Sequence, residues 1–121
     1  KRREDEHAVA IMNVIGDVDG KIALIVDDMI NTGGTLVKSV EALLKKGARQ
    51  VYACCTHAVF SSETVKKIQN SRITQVVATD SIPLSEEGKQ CKQVHILSVD
   101  RLMAEAILSV HNETSVSRLF I

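Results

Sequence analysis

The sequence predicts an α/β domain in which a mostly parallel, twisted sheet is flanked by helices in three layers. Short apolar runs alternate along the 121-residue chain with segments whose apolar residues recur at helical spacing. Strands and helices that alternate in this way form βαβ units with parallel strands. The length suits one domain with a sizeable core, so we expect residues 1–121 to form a single domain.

The first third of the chain contains two predicted strands, a turn and a helix. Residues 8–15 are rich in Val and Ile, which favours a strand, and residues 16–20 have the composition of a turn. Residues 22–26 form a short apolar run between this turn and two acids, as expected for a buried strand. Residues 35–46 predict a helix, and Gly47 is a typical residue to end it. The apolar face of this helix consists of Leu36, Val40, Leu43 and Leu44.

Two further strands and a short helix are predicted in the middle of the chain. The apolar residues 51–56 and 74–78 are typical of strands. Between them, Ser61 or Ser62 can cap a helix, since a serine hydroxyl accepts a hydrogen bond from one of the first amides. Val65 and Ile68 give this helix its apolar side.

The last third contains a loop, a strand, a helix and a tail. Residues 80–90 are polar and predict a loop, and residues 94–99 predict a strand. Asp100 is expected to cap a helix, and residues 111–121 are expected to form an irregular tail. The helix would place Leu102, Met103, Ala106, Ile107 and Val110 on one face.

The composition argues against nucleic-acid and membrane partners. Fifteen basic residues balance fifteen acidic ones, and aromatic residues make up only 2% of the chain. A balanced charge gives no field that attracts nucleic acid, and few aromatic residues are available to stack on bases. No apolar run reaches the length of a membrane span, and the N-terminus lacks the apolar core of a signal peptide. We therefore expect a cytoplasmic protein.

The three cysteines do not suggest a disulfide framework or a zinc site. Cys54 and Cys55 are adjacent within an apolar run, and Cys91 lies in a polar segment directly after the predicted loop 80–90. An odd number of cysteines without paired metal-ligand spacing is unlike either kind of site. We expect Cys54 and Cys55 to be core thiols in a reducing compartment.

The segment VDDMINTGGT, residues 26–35, indicates a phosphate-binding loop. Its Thr-Gly-Gly-Thr lies at the start of the predicted helix, where backbone amides lack intrahelical acceptors and the helix dipole is positive. Glycines allow close approach of the backbone, and threonine hydroxyls add donors. The spacing matches neither the Walker A loop nor the GxGxxG dinucleotide motif.

Asp27 and Asp28 indicate a second group on the same ligand. Carboxylates repel phosphate but accept hydrogen bonds from neighbouring hydroxyls, and they can hold Mg²⁺ through water. A sugar phosphate such as ribose 5-phosphate carries both a phosphate and a diol. The alternative is a tight strand-to-helix turn next to two surface acids.

Four segments resemble one enzyme family. VDDMINTGGT resembles the ribose-phosphate loop of type I phosphoribosyltransferase folds. KRR (1–3), THAVFS (56–61) and HNETSVSRLF (111–120) make the whole chain similar to the C-terminal domain of ribose-phosphate diphosphokinases, of the phosphate-activated bacterial kind. The resemblance implies transfer of a diphosphoryl group from ATP to the 1-hydroxyl of ribose 5-phosphate, with Mg²⁺, giving PRPP and AMP for nucleotide biosynthesis.

The resemblance also implies roles for individual residues. Asp27 and Asp28 would contact the ribose hydroxyls, and Lys1 and Arg3 would be the catalytic basic residues. The Mg²⁺ ligands and most ATP contacts would lie in an N-terminal domain, so we expect this chain to be the C-terminal half of a two-domain enzyme with no metal ligands of its own. The 5-phosphate would be bound by Asn31, Thr32, Gly33, Gly34 and Thr35.

We expect the C-terminal tail to have a regulatory role. The resemblance implies a hexamer in which the tail, with Ser115, Ser117 and Phe120, helps form a site for inorganic phosphate and ADP at subunit contacts.

Two positions depart from the family pattern: Asn31 stands where Asp is usual, and Ser62 stands where Gly is common. Asn31 keeps the shape and can donate to phosphate, but it cannot act as a base.

Two alternative functions remain open from the sequence. One is a phosphoribosyltransferase that consumes PRPP, and the other is a non-catalytic homologue that associates with the synthetase and regulates it.

His57 follows a predicted strand on the ligand side of the sheet, and we interpret it as a loop histidine that is hydrogen-bonded to the backbone.

Overall fold

The computed structural model describes residues 14–120. Its strands form one parallel sheet in the order β1-β2-β3-β4. The strands are β1 (Ile22–Ile30), β2 (Gln50–Ala58), β3 (Gln75–Thr79) and β4 (Val94–Leu97). The helices are α1 (Gly34–Lys45), α2 (Ser62–Asn70), α3 (Glu86–Gln90), α4 (Asp100–His111) and a 3₁₀ helix (Val116–Phe120). The α/β class and the parallel sheet are thus confirmed. The predicted strand 8–15 lies outside the described residues except for Val14 and Ile15, which are not in a strand.

The core lies on one face of the sheet. Alternate residues of β2 and β3 are buried, as expected for strands with helices on one side. They pack with the apolar sides of α1 and α2 in one cluster. Its central members are Leu36, Val40, Val51, Ala53, Cys55, Val65, Ile68, Val76 and Ala78.

The opposite face of the sheet is largely uncovered in residues 14–120. Leu24 and Val26 pair in register with Tyr52 and Cys54, and their side chains are 61% and 73% exposed. The prediction that residues 22–26 form a buried strand is therefore wrong about burial. Helices α1 and α2 pack on the buried face, and α4 contacts chiefly the 3₁₀ helix.

Several predicted boundaries change in the structure. β1 continues through Ile30, so the two acids lie inside the strand rather than after it. The loop 80–90 contains α3, whose first turn is capped by Ser85 accepting a hydrogen bond from the amide of Gly88. Asp100 is the first residue of α4 rather than its cap.

The tail and the cysteines also differ from expectation. α4 ends at His111, and the tail then forms the 3₁₀ helix instead of an irregular segment. Cys91 is buried although its neighbours are polar, while Cys54 is only partly buried. Cys55 is buried as predicted, and the three thiols are free.

Within the described part of the chain, no helix has the length and apolar character needed to cross a membrane.

Candidate functional site

A cavity of about 300 Å³ opens at the carboxyl end of β1, beside the start of α1. Its volume is at the lower end of the range for small-molecule sites. It contains five of the seven predicted sugar-phosphate ligands; Asp28 and Gly34 are not among its lining residues. The lining consists of Ile25, Asp27, Met29, Ile30, Asn31, Thr32, Gly33, Thr35, Leu36 and Ser39.

The amino end of α1 forms the polar wall of this cavity. Gly33 is the N-cap residue with φ of 71°, a left-handed conformation that glycine adopts without strain. No side chain caps α1 and no acid lies in its first turn, whereas Ser61 caps α2 and Ser85 caps α3. The first amides of a helix have no intrahelical acceptor and carry partial positive charge. This end of α1 can therefore bind an anion.

The loop before α1 is attached to α2 by two side chains. Thr64 donates its hydroxyl hydrogen to the carbonyl oxygen of Asn31 at 2.5 Å, and Lys67 Nζ donates to the carbonyl oxygen of Thr32 at 3.2 Å. Thr64 is fully buried. Neither residue is among those predicted from the sequence, where the only indication is that Thr64 lies on the same buried side of α2 as Val65 and Ile68.

The two acids are the sixth and seventh of the nine residues of β1. Both side chains are exposed, and the amide of Asp28 donates to Oδ1 of Asp27 at 2.9 Å. Asp27 lines the cavity and can accept hydrogen bonds from a bound ligand. Asp28 is the next residue of the strand and does not line the cavity. Asp27 can therefore contact hydroxyl groups of a ligand whose anion lies at α1.

His57 lies one strand away from the acids, in register with Met29. The hydroxyls of Thr79 and Ser81 both donate to the carbonyl oxygen of Thr56, at 2.7 and 3.0 Å. Nδ1 of His57 lies 2.9 Å from Ser81 Oγ, and which of the two groups donates depends on the histidine tautomer. The expectation of a backbone partner is wrong, because this hydrogen bond of His57 goes to a side chain.

The predicted regulatory residues lie apart from the cavity. The amide of Ser117 donates to Ser115 Oγ at 3.2 Å, and both serines are exposed. Arg118 donates to the buried hydroxyl of Ser109 at 3.2 Å, which attaches the 3₁₀ helix to α4. Phe120 is 78% exposed. Lys1 and Arg3 lie outside the described residues.

The described residues do not fit a resident metal ion. In residues 14–120, no three His, Cys, Asp or Glu side chains cluster closely enough to hold one. Asp27 and Asp28 offer two adjacent carboxylates, which could hold Mg²⁺ only together with waters or the phosphates of a bound substrate.

Comparison with known proteins identifies a family. A family model described as phosphoribosyl synthetase-associated domain matches residues 5–121. The chain is 50% identical over 120 residues to ribose-phosphate pyrophosphokinases of Caldanaerobacter subterraneus subsp. tengcongensis and Vibrio parahaemolyticus. These matches cover 99% of this chain but only 38% of each relative.

A solved structure shows the same fold. The chain superposes on phosphoribosylpyrophosphate synthetase from Mycobacterium smegmatis with a TM-score of 0.78 and 34% identity. The superposition covers 82% of this chain and 33% of that protein. The similarity thus concerns one part of a longer enzyme.

Proposed function

Because the chain belongs to the phosphoribosyl synthetase-associated domain family, we propose that it is the C-terminal, ribose 5-phosphate-binding domain of a ribose-phosphate diphosphokinase. The observation that carries this proposal is the uncapped amino end of α1 beside Asp27 in one cavity. The 5-phosphate binds the amides of residues 32–35 and the threonine hydroxyls. Asp27 and Asp28 accept hydrogen bonds from the ribose hydroxyls.

This binding mode leaves the 1-hydroxyl of the sugar free to react with ATP. Its oxygen attacks the β-phosphorus, and the bond from that phosphorus to the oxygen of the α-phosphate breaks. AMP leaves and the hydroxyl proton is released. Positioning and cationic groups supply most of the catalysis of phosphoryl transfer, and this is the role we assign to Lys1 and Arg3. When bound by the complete site, Mg²⁺ neutralises charge on the migrating group.

The asparagine at position 31 is compatible with this role. Asn31 contributes its backbone carbonyl to the contact with Thr64, so this link between the loop and α2 does not depend on its side chain. The amide side chain can still donate a hydrogen bond to phosphate. The substitution therefore leaves sugar-phosphate binding intact and removes only a possible acidic role.

We assign the tail to regulation in an oligomer of this enzyme, a hexamer as in the family. Ser115 and Ser117 lie within one exposed turn, next to Arg118, and can present hydroxyls to an anion such as inorganic phosphate or ADP. In the full-length cytoplasmic enzyme, Ser115→Ala and Ser117→Ala should blunt phosphate activation and ADP inhibition. Affinity for ribose 5-phosphate should stay within about twofold, since the tail does not line the cavity. Equal loss of both properties would contradict a separate regulatory role.

An activity assay distinguishes this function from the two alternatives. The full-length protein should convert ATP and ribose 5-phosphate to PRPP and AMP, and it should not transfer phosphoribosyl from PRPP to free bases. The 121-residue chain alone should bind ribose 5-phosphate without turnover, because it spans 38% of its relatives. Base transfer would support a phosphoribosyltransferase, and absence of both reactions would support a regulatory homologue.

A further inference from the structure

We propose that Thr64 and Lys67 of α2 are positioning residues that aim the backbone amides of the phosphate loop at the ligand. The inference rests on the proposed function, because it concerns the same anion site. Thr64 holds the carbonyl oxygen of Asn31 and Lys67 holds that of Thr32. Two consecutive peptide groups of the loop are thus attached to the same helix.

The trans geometry of the peptide bond determines where the amides next to these carbonyls point. The described chain contains no cis peptide bond, so the carbonyl and the amide of each peptide group point in opposite directions. With the carbonyl of Asn31 held toward α2, the amide of Thr32 points away from α2. The amide of Gly33 also points away from α2, because Lys67 holds the carbonyl of Thr32 toward α2. Both amides are therefore fixed in orientation before an anion arrives, which reduces the ordering cost of binding.

The surroundings of Thr64 explain why this contact is rigid. Its hydroxyl lies 2.9 Å from Ser61 Oγ, and Ser61 also accepts from the amide of Thr64 at 3.2 Å. Its methyl group packs against Gly33, where an ideal Cβ would lie 3.1 Å from Thr64 Cγ2. Thr64 is thus held by the cap of α2 on one side and contacts the loop on the other. Such a fully satisfied buried hydroxyl has little freedom to move.

Lys67 reaches the loop from the next turn of α2. Its ammonium group donates to Thr32 and pairs with Glu63 at 2.8 Å, so two of its three donors are used. The Glu63 pair lies along the helix and directs the lysine side chain without contacting the loop itself. Lys66 is exposed on the same helix and provides a charge-matched control.

The test measures anion affinity and stability separately in the 121-residue chain. Inorganic phosphate and ribose 5-phosphate are titrated while the backbone amide resonances of residues 32–35 are followed, and unfolding is measured in urea. Thr64→Val keeps the shape and removes the hydroxyl; Thr64→Ser restores it. Ser61→Ala removes the cap of α2 but leaves the bond from Thr64 to Asn31. Lys67→Met is compared with Lys66→Met.

We expect the variants that remove a contact with the loop to weaken binding more than the control variants do. Thr64→Val and Lys67→Met should each raise the dissociation constants of both ligands about five- to tenfold, the effect of losing one hydrogen bond in the site. Thr64→Ser should restore affinity to within about twofold of wild type. Ser61→Ala should lower the free energy of unfolding and raise the dissociation constants less than Thr64→Val does, and Lys66→Met should change the dissociation constants by no more than about twofold.

Three negative outcomes lead to two different conclusions. If the wild-type chain binds phosphate at residues 32–35 and Thr64→Val and Lys67→Met bind equally well, only the positioning role is wrong. The same conclusion follows if Lys66→Met weakens binding as much as Lys67→Met, because the effect would then be general charge. If the wild-type chain shows no phosphate-dependent shift in this loop, the proposed site itself is wrong and the positioning role falls with it.

Discussion

Arg72 and Glu41 form a two-pronged ion pair that joins α1 to the turn after α2. Arg72 Nη2 lies 2.6 Å from one carboxylate oxygen of Glu41, and Nε lies 3.2 Å from the other. The hydrogen bond from Arg72 is the main reason why the pKa of Glu41 lies below its ordinary value of 4.5. The pair connects α1, which follows the proposed phosphate loop, to the segment after α2, the helix whose side chains contact that loop.

The ion pair predicts a pH-dependent contribution to stability. A lowered carboxyl pKa contributes stability above the ordinary value of 4.5, and this contribution is lost as the pH falls through the lowered pKa. In Glu41→Gln, the free energy of unfolding should therefore fall less steeply below pH 4.5 than in wild type. The effect should be small because the pair is exposed to solvent. Urea unfolding across the acidic range measures it, Arg72→Gln should match Glu41→Gln, and identical slopes in all three proteins would contradict the account.

Gly33→Ala should damage both the fold and the site. Gly33 has a left-handed backbone and a buried neighbour, Thr64, only 3.1 Å from the added methyl group. We expect a loss of about 1–2 kcal/mol in the free energy of unfolding, the cost of a left-handed conformation in a residue with a Cβ. Gly34→Ala is the control for stability, because its nearest neighbour, Thr32 Oγ1, is 3.9 Å away. Equal stability of the two variants would show that Gly33 is not constrained.

The adjacent cysteines should differ in reactivity. Cys55 is buried on the helix-covered face, and burial raises the pKa of its thiol above the ordinary value. Cys54 points to the opposite, more open face of the sheet. Iodoacetamide at pH 8 should therefore alkylate Cys54 at least about tenfold faster than Cys55, because the thiolate is the reactive form and needs access. Mass spectrometry of peptides over a time course measures both rates, and equal rates would contradict the packing of β2.

Replacement of Asp27 or Asp28 should weaken the binding of ribose 5-phosphate but not the binding of inorganic phosphate. Asp27→Asn and Asp28→Asn should each weaken ribose 5-phosphate binding about five- to thirtyfold, since a charge-assisted hydrogen bond to a ribose hydroxyl is lost. Binding of inorganic phosphate should stay the same or become tighter, because a negative charge near the anion is removed. Calorimetric titration of both ligands measures this difference. Parallel losses for both ligands would mean that the acids support the loop rather than contact the sugar.

The fold could be predicted because its signals are local. Apolar runs and helical spacing locate the strands and α1, and Ser61 marks the start of α2. The exposed face of β1 could not be predicted, because an apolar run does not show whether helices cover one side of a strand or both. The short α3 was missed since only Ser85 and the acids after it indicate a helix within a polar segment.

Only part of the candidate site could be predicted from the sequence. The glycine loop and the diacid are contiguous, so their order along the chain indicates their chemistry. Thr64 and Lys67 lie more than thirty positions after the carbonyls that they hold, and such long-range contacts leave no periodic pattern. The bond from His57 to Ser81 was missed for the same reason.

Titration with ribose 5-phosphate tests the central claim most directly. In the wild-type 121-residue chain, saturating ligand should shift the backbone amides of residues 32–35, and a soaked crystal should show the phosphate at these amides. Thr35→Ala should weaken binding by roughly 1–2 kcal/mol, because one donor to the phosphate is removed. Binding that leaves residues 32–35 unperturbed, or that Thr35→Ala does not change, would contradict a sugar-phosphate site at the start of α1.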